Sequence, residues 1–175
     1  MKKIMILFMM LASSMSVNAA SLPMFVVTAF EGEQETKFVE LLQKQDLLAK
    51  VSHKSYGAPV RLIVSYHHET TAGGSVASFT TLMMSASSLG VIPVVENNDF
   101  VVTYQLRVQS KTIANFNYVI NTTNAVSIYA GKEAKFSPKV QAFIDSTPAK
   151  FAADLAKEAA FKTLTQEYEF YFGTK

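Results

Sequence analysis

Apolar and polar residues alternate most regularly in the stretch "DFVVTYQLRVQ". Phe100, Val102, Tyr104, Leu106 and Val108 fall on one parity, and Val101, Thr103, Gln105, Arg107 and Gln109 on the other. A period of two predicts a half-buried strand. "TIANFNYVINTTNAV" repeats the pattern, with Ala114, Phe116, Tyr118 and Ile120 against Ile113, Asn115, Asn117 and Val119. Ser110 and Lys111 between them predict a tight turn, and so a hairpin. Upstream, "VRLIVSYHHET" sets Leu62, Val64, Tyr66 and His68 against Arg61, Ile63, Ser65, His67 and Glu69. "MFVVTAF" is almost continuously apolar, which predicts a central strand covered on both faces. Pro93, in "VIPVVENNDF", confines its segment to a strand edge or a strand beginning.

The remaining periodicity is helical. Phe38, Leu41, Leu42, Gln45, Leu48 and Val51 lie near helical spacing, with Lys37, Glu40, Lys44 and Lys50 on other faces. Gly57 and Pro59 mark a loop. "SVASFTTLMMSASSLG" predicts a second helix, with Ser75 or Ser78 as its cap and Gly90 as its end. The C-terminal third carries two start signals, Ser137-Pro138 and Thr147-Pro148, and so predicts a short helix followed by a long one. Phe151, Leu155, Ala159, Leu164 and Tyr168 are the expected buried stripe, and "EYEFYF" suits either a helix end or a small strand. The order strand, helix, strand, helix, two or three strands, helix predicts an α/β or α+β two-layer sandwich. Its mixed sheet has four to five strands, ends in an antiparallel hairpin, and is packed by about three helices.

Composition changes this picture in three ways. Residues 70–95 carry no charge. On helical spacing Phe79, Leu82, Met83, Ala86 and Leu89 share a face, while Ser and Thr fill most of the remainder. A helix with no charged face suits packing on a sheet or contact with a partner. Gly90 and Pro93 make the run a poor bilayer span. The chain opens with Lys2 and Lys3, then an apolar run over residues 4–15, then "VNAA", the layout of a secretory signal peptide cleaved after Ala19 or Ala20. This divides the chain into a signal peptide, 1–20, and one domain, 21–175. Without Lys2 and Lys3 the chain holds 14 basic and 14 acidic residues, from 16 and 14 in the whole sequence. A neutral chain is not built for nucleic acid. There is no cysteine, hence no disulfide, thiol nucleophile or lipid-bearing cysteine. The address predicted is the periplasm, soluble or peripheral to a membrane, with no transmembrane segment after cleavage.

"LGVIPVVENNDFVVTYQLRVQSKTIANFNYVINTTNAV" resembles a pattern found in small, poorly characterised Gram-negative envelope proteins, many of them lipoproteins. Leu89, Gly90 and Pro93 match its first part and residues 100–120 its hairpin, so the resemblance covers about residues 80–126. It implies an envelope protein and no particular activity. The chain departs from the pattern in lacking the lipobox cysteine.

"YHHET" holds the most tempting chemistry, since His and Glu are metal ligands. Alternation sends His67 and His68 to opposite faces, so the candidate pair is His67 and Glu69, with His53 as a third group. "AGGSVA" lacks the second glycine of a nucleophile elbow, no Ser is followed three residues later by Lys, and "AGKEAK" lacks the glycine and Ser/Thr of a phosphate loop. Asn115, Asn117, Asn121 and Asn124 give the return strand a polar, uncharged face. The reading is a non-enzymatic binding or envelope-assembly factor that needs no cofactor and binds another envelope protein or a periplasmic ligand. Its candidate contacts are Phe79, Leu82, Met83, Leu89, Asn115 and Asn117. A metal-assisted hydrolase at His67 and Glu69 is the alternative, and peripheral membrane association through residues 70–95 is another.

Overall fold

The computed structural model describes residues 22–54, 56–70, 80, 83–84, 94–126 and 136–173; for 70, 94–96 and 124–126 it describes the backbone alone. Five strands form one mixed sheet: β1 (Met24–Thr28), β2 (Val51–Ser52), β3 (Val60–Thr70), β4 (Val94–Val108) and β5 (Lys111–Val126). Their order is β2-β1-β3-β4-β5. β1 runs parallel to both neighbours, and β3, β4 and β5 are antiparallel. Helices α1 (Glu33–Gln43), α2 (Pro138–Leu155) and α3 (Ala159–Phe172) supply the second layer.

The core lies between sheet and helices, and the parities read from sequence face it. Met24, Val26, Leu62, Val64, Phe100, Val102, Tyr104 and Leu106 are buried there, against Phe38, Leu42, Ile144, Phe151 and Leu155. Aromatic rings join the layers. Phe151 stacks on Tyr104 at 4.4 Å and meets Phe116 edge-on at 5.5 Å, while Phe30, Tyr66 and Phe100 converge on Phe136.

Several local expectations are refined. The first helix stops at Gln43; a 3-10 turn, Asp46–Leu48, then leads into the short β2, which supplies the burial of Leu48 and Val51. β1 is covered on one face only, since Val27 is 43% exposed. Of the two or three strands expected here there are two, because "VVENNDF" and "DFVVTYQLRVQ" form the single β4, continuous over 15 residues from directly after Pro93. Thr147-Pro148 does not start a helix: α2 runs through Pro148. Proline removes the amide that Ile144 would have accepted from. Thr147 Oγ1 donates to the Ile144 carbonyl at 2.8 Å instead, and Ser146 Oγ to that of Phe143 at 2.7 Å. Ser137 does open the helix, accepting from the Val140 amide. The real break falls at Ala156 to Glu158, and α3 continues helical to Phe172. Within α3 it is Phe161 that is buried, while Ala159 is exposed.

Candidate binding face

Among the described residues α1, α2 and α3 pack on one side of the sheet, and register determines which residues share the other side. Paired residues on neighbouring strands point the same way. Val27, Ile63, Gln105 and Asn115 therefore form one row across the sheet. Ser65, Thr103 and Asn117 form the next, then His67, Val101 and Val119, then Glu69, Asp99 and Asn121. At the hairpin end Phe25, Arg61 and Arg107 share a row. This open face thus has a basic end and an acidic end, with three uncharged or nearly uncharged rows between them. Val101 in its middle is buried, Ile63, Ser65, Thr103 and Gln105 are half-buried, and Asn115, Asn117 and Val119 of β5 are exposed.

Each end is held by its own contacts. Arg107 Nη2 donates to the Ser110 carbonyl at 3.0 Å, and Phe25 lies 5.2 Å from the exposed Tyr56 ring. At the acidic end Asn121 Nδ2 donates to Asp99 Oδ1 at 2.8 Å, and His67 Nε2 meets Glu69 Oε1 at 2.8 Å. His67 and Glu69 share a face, as alternation predicts. His68 points to the helix side and meets Phe100 edge-on at 5.0 Å. His53 does not join the pair. It lies beside α1, with Nε2 at 3.6 Å from Glu35 Oε1, and the sheet separates it from His67. Among the described residues no three His, Asp or Glu side chains cluster as metal ligands.

Asn115 and Asn117 are exposed on the open face, and Val119 beside them is 55% exposed. Met83 is helical and 61% exposed. Phe79, Leu82, Leu89, Ala19 and Ala20 lie outside the described residues. Sequence reasoning missed Thr103, Gln105 and Ser65 as neighbours of Asn115 and Asn117. Their parity was readable, but their adjacency required the register.

Beneath the face two phenols are locked in place. The single Thr147 hydroxyl proton goes to Ile144, so Tyr104 must donate to Thr147 Oγ1, at 2.6 Å. Burial drives the Tyr104 pKa far above its ordinary value. Tyr118 donates to Asp154 Oδ2 at 3.0 Å and is likewise raised, first by burial and then by that carboxylate. Asp154 is held below the usual carboxylate range by hydrogen bonds from Lys157 and then Tyr118. An open cleft of about 420 Å3 lies elsewhere, where Leu47 and Ala156 face Phe161, Lys162, Thr165, Gln166 and Glu169. Phe170, Tyr171 and Phe172 are exposed at the end of α3, and among the described residues no helix is long and apolar enough to cross a membrane.

No family model and no curated protein matches the chain. Solved structures do. The rare lipoprotein B from Shewanella oneidensis aligns over 82% of this chain and 98% of its own, with 14% identity and a TM-score of 0.35. A Caulobacter crescentus protein described as a lipoprotein aligns over 90% of this chain and 95% of its own, with 13% identity and a TM-score of 0.29. The chain is thus weakly similar in structure to these two lipoproteins. Similarity of this degree is one of outline, and no residue role crosses with it.

Proposed function

We propose that this chain is a secreted, non-enzymatic binding protein of the cell envelope, and that it holds a protein partner or periplasmic ligand on the open face of its sheet. One observation carries the reading. Among the described residues α1, α2 and α3 cover a single side, and the other side carries the half-exposed Thr103 and Gln105 beside the exposed Asn115 and Asn117, neighbouring uncharged hydrogen-bonding groups flanked by Ile63 and Val119. Amide and hydroxyl groups both donate and accept, so such a band can pair with polar groups of a partner without desolvating a charge. The Lys-rich start, apolar run and small residues at Ala19 and Ala20 support delivery to the periplasm. The uncharged segment 70–95, with Phe79, Leu82, Met83 and Leu89, is a further candidate contact for a partner or a membrane.

The test is capture from native cells after reversible crosslinking, wild type against Thr103→Arg. We expect the variant to lose the co-purifying envelope component while its thermal unfolding stays unchanged. Equal capture by both chains would contradict the reading. The His67–Glu69 contact favours a second reading, a metal-assisted hydrolase. Stoichiometric metal in the purified chain, lost in His67→Ala, would support it.

A further inference from the structure

Among the described residues β5 is an edge strand, 16 residues long, Lys111–Val126. From Thr112 onward it contains no charge, no proline and no glycine. Natural edges are normally blunted by such residues or by bulges, because unpaired amides and carbonyls template another strand. Among the described residues the ends of the edge are blunted and its middle is not. Near the turn the register shifts, leaving Ile113 as the extra residue of a bulge. At the other end Lys139 Nζ donates to the Asn121 carbonyl at 2.9 Å.

That contact also shows which residues face outward. Backbone groups of alternate strand residues point to the same side, so Asn115, Asn117 and Val119 direct their amides and carbonyls outward with Asn121. Thr122 Oγ1 reaches the Asn98 carbonyl at 2.8 Å, which places the even-numbered residues toward β4. Among the described residues, no other element supplies a hydrogen bond to the backbone of Asn115, Asn117 or Val119.

We propose that two copies of this chain pair antiparallel along the β5 edge, about a two-fold axis at Asn117, to form one continuous sheet. The strand is complementary to itself in that register. Asn117 faces its own copy, and Asn115 faces Val119. The three outward residues of each chain supply about six backbone hydrogen bonds. On the helix side the half-buried Phe116 meets the half-buried Tyr118 of the second copy, so each aromatic gains cover. On the open side the charges also match. The acidic row through Asp99 and Asn121 of one copy runs toward the basic row through Arg107 of the other. The pairing extends the proposed binding face but does not depend on what that face holds, and it survives if capture through Thr103 fails.

The chain has no cysteine, so introduced thiols report directly. Opposed residues of a hydrogen-bonded pair have Cα atoms about 5.5 Å apart, within disulfide reach. Purified processed chain carrying Asn117→Cys should form a disulfide dimer under mild oxidation. Asn115→Cys alone should not, because its copy lies about 13 Å along the strand. A mixture of Asn115→Cys and Val119→Cys chains should cross-link to each other. Wild type should sediment as a dimer, and Asn117→Lys, which sets like charges on the axis, should shift to monomer with unchanged circular dichroism. A monomeric wild type whose Asn117→Cys thiol stays free would overturn the proposal, as would equal cross-linking at positions 115 and 117.

Discussion

Thr147 does the work of two backbone groups. Its hydroxyl replaces the amide that Pro148 lacks and also receives the Tyr104 phenol, all out of contact with water. Thr147→Val keeps the shape but strands both the Ile144 carbonyl and the phenol. It should cost about 2 kcal/mol, while Tyr104→Phe, which leaves Ile144 satisfied, should cost about 1 kcal/mol. Thermal or urea unfolding of the two variants measures the difference. Sequence alone could not show this. Ser or Thr before Pro is a start signal when solvent can take the free carbonyls, and here a buried hydroxyl takes them instead. The same cluster predicts pH behaviour. Tyr104 and Tyr118 have folded pKa values above the ordinary 10.0, so their contribution is complete below pH 10.0 and is lost as pH rises beyond it. Asp154 is shifted down from 3.8, so its contribution is present above that value and is lost as pH falls below it. Of seven tyrosines, these two should ionise only together with loss of near-ultraviolet circular dichroism. Tyrosinate absorbance reaching full amplitude in the native state would contradict this.

At the scale of elements, parity was legible and register was not. Leu62, Val64, Phe100, Val102, Tyr104 and Leu106 follow a period of two because one face of each strand is buried, and the sequence displays that directly. Which residue sits beside which depends on the turn. The two-residue turn falls at Gln109 and Ser110, one residue earlier than the Ser-Lys pair suggests. Gln109 takes a left-handed φ of 55°, and the bulge at Ile113 then restores parity. The short β2 was illegible because two residues carry no period. Helix boundaries shifted where tertiary contacts, rather than propensity, supply the stabilisation. α2 depends on both its cap and its buried face. Ser137→Ala should lower stability by about 1 kcal/mol through the lost cap. Phe151→Ala, which empties the stack on Tyr104 and Phe116, should cost about 3–5 kcal/mol. Chemical denaturation of both variants checks the ratio.

For the whole molecule, the two-layer architecture follows from strands that bury one parity and three amphipathic helices that cover it. The other parity forms an ordered band, basic at the hairpin end, acidic at the far end and uncharged between, most exposed along β5. The asparagines of β5 were legible as a candidate face. Their continuity with Ser65, Thr103 and Gln105 was not, since it spans three strands. The central claim is that this band is the working surface. Its most direct test is in-cell photo-crosslinking from a probe at Thr103, in the middle of the band, with a probe at exposed Lys150 on the helix layer as reference. The account predicts a discrete envelope adduct from position 103 and none from position 150. Adducts from position 150 alone, or the same adducts from both positions, would contradict it.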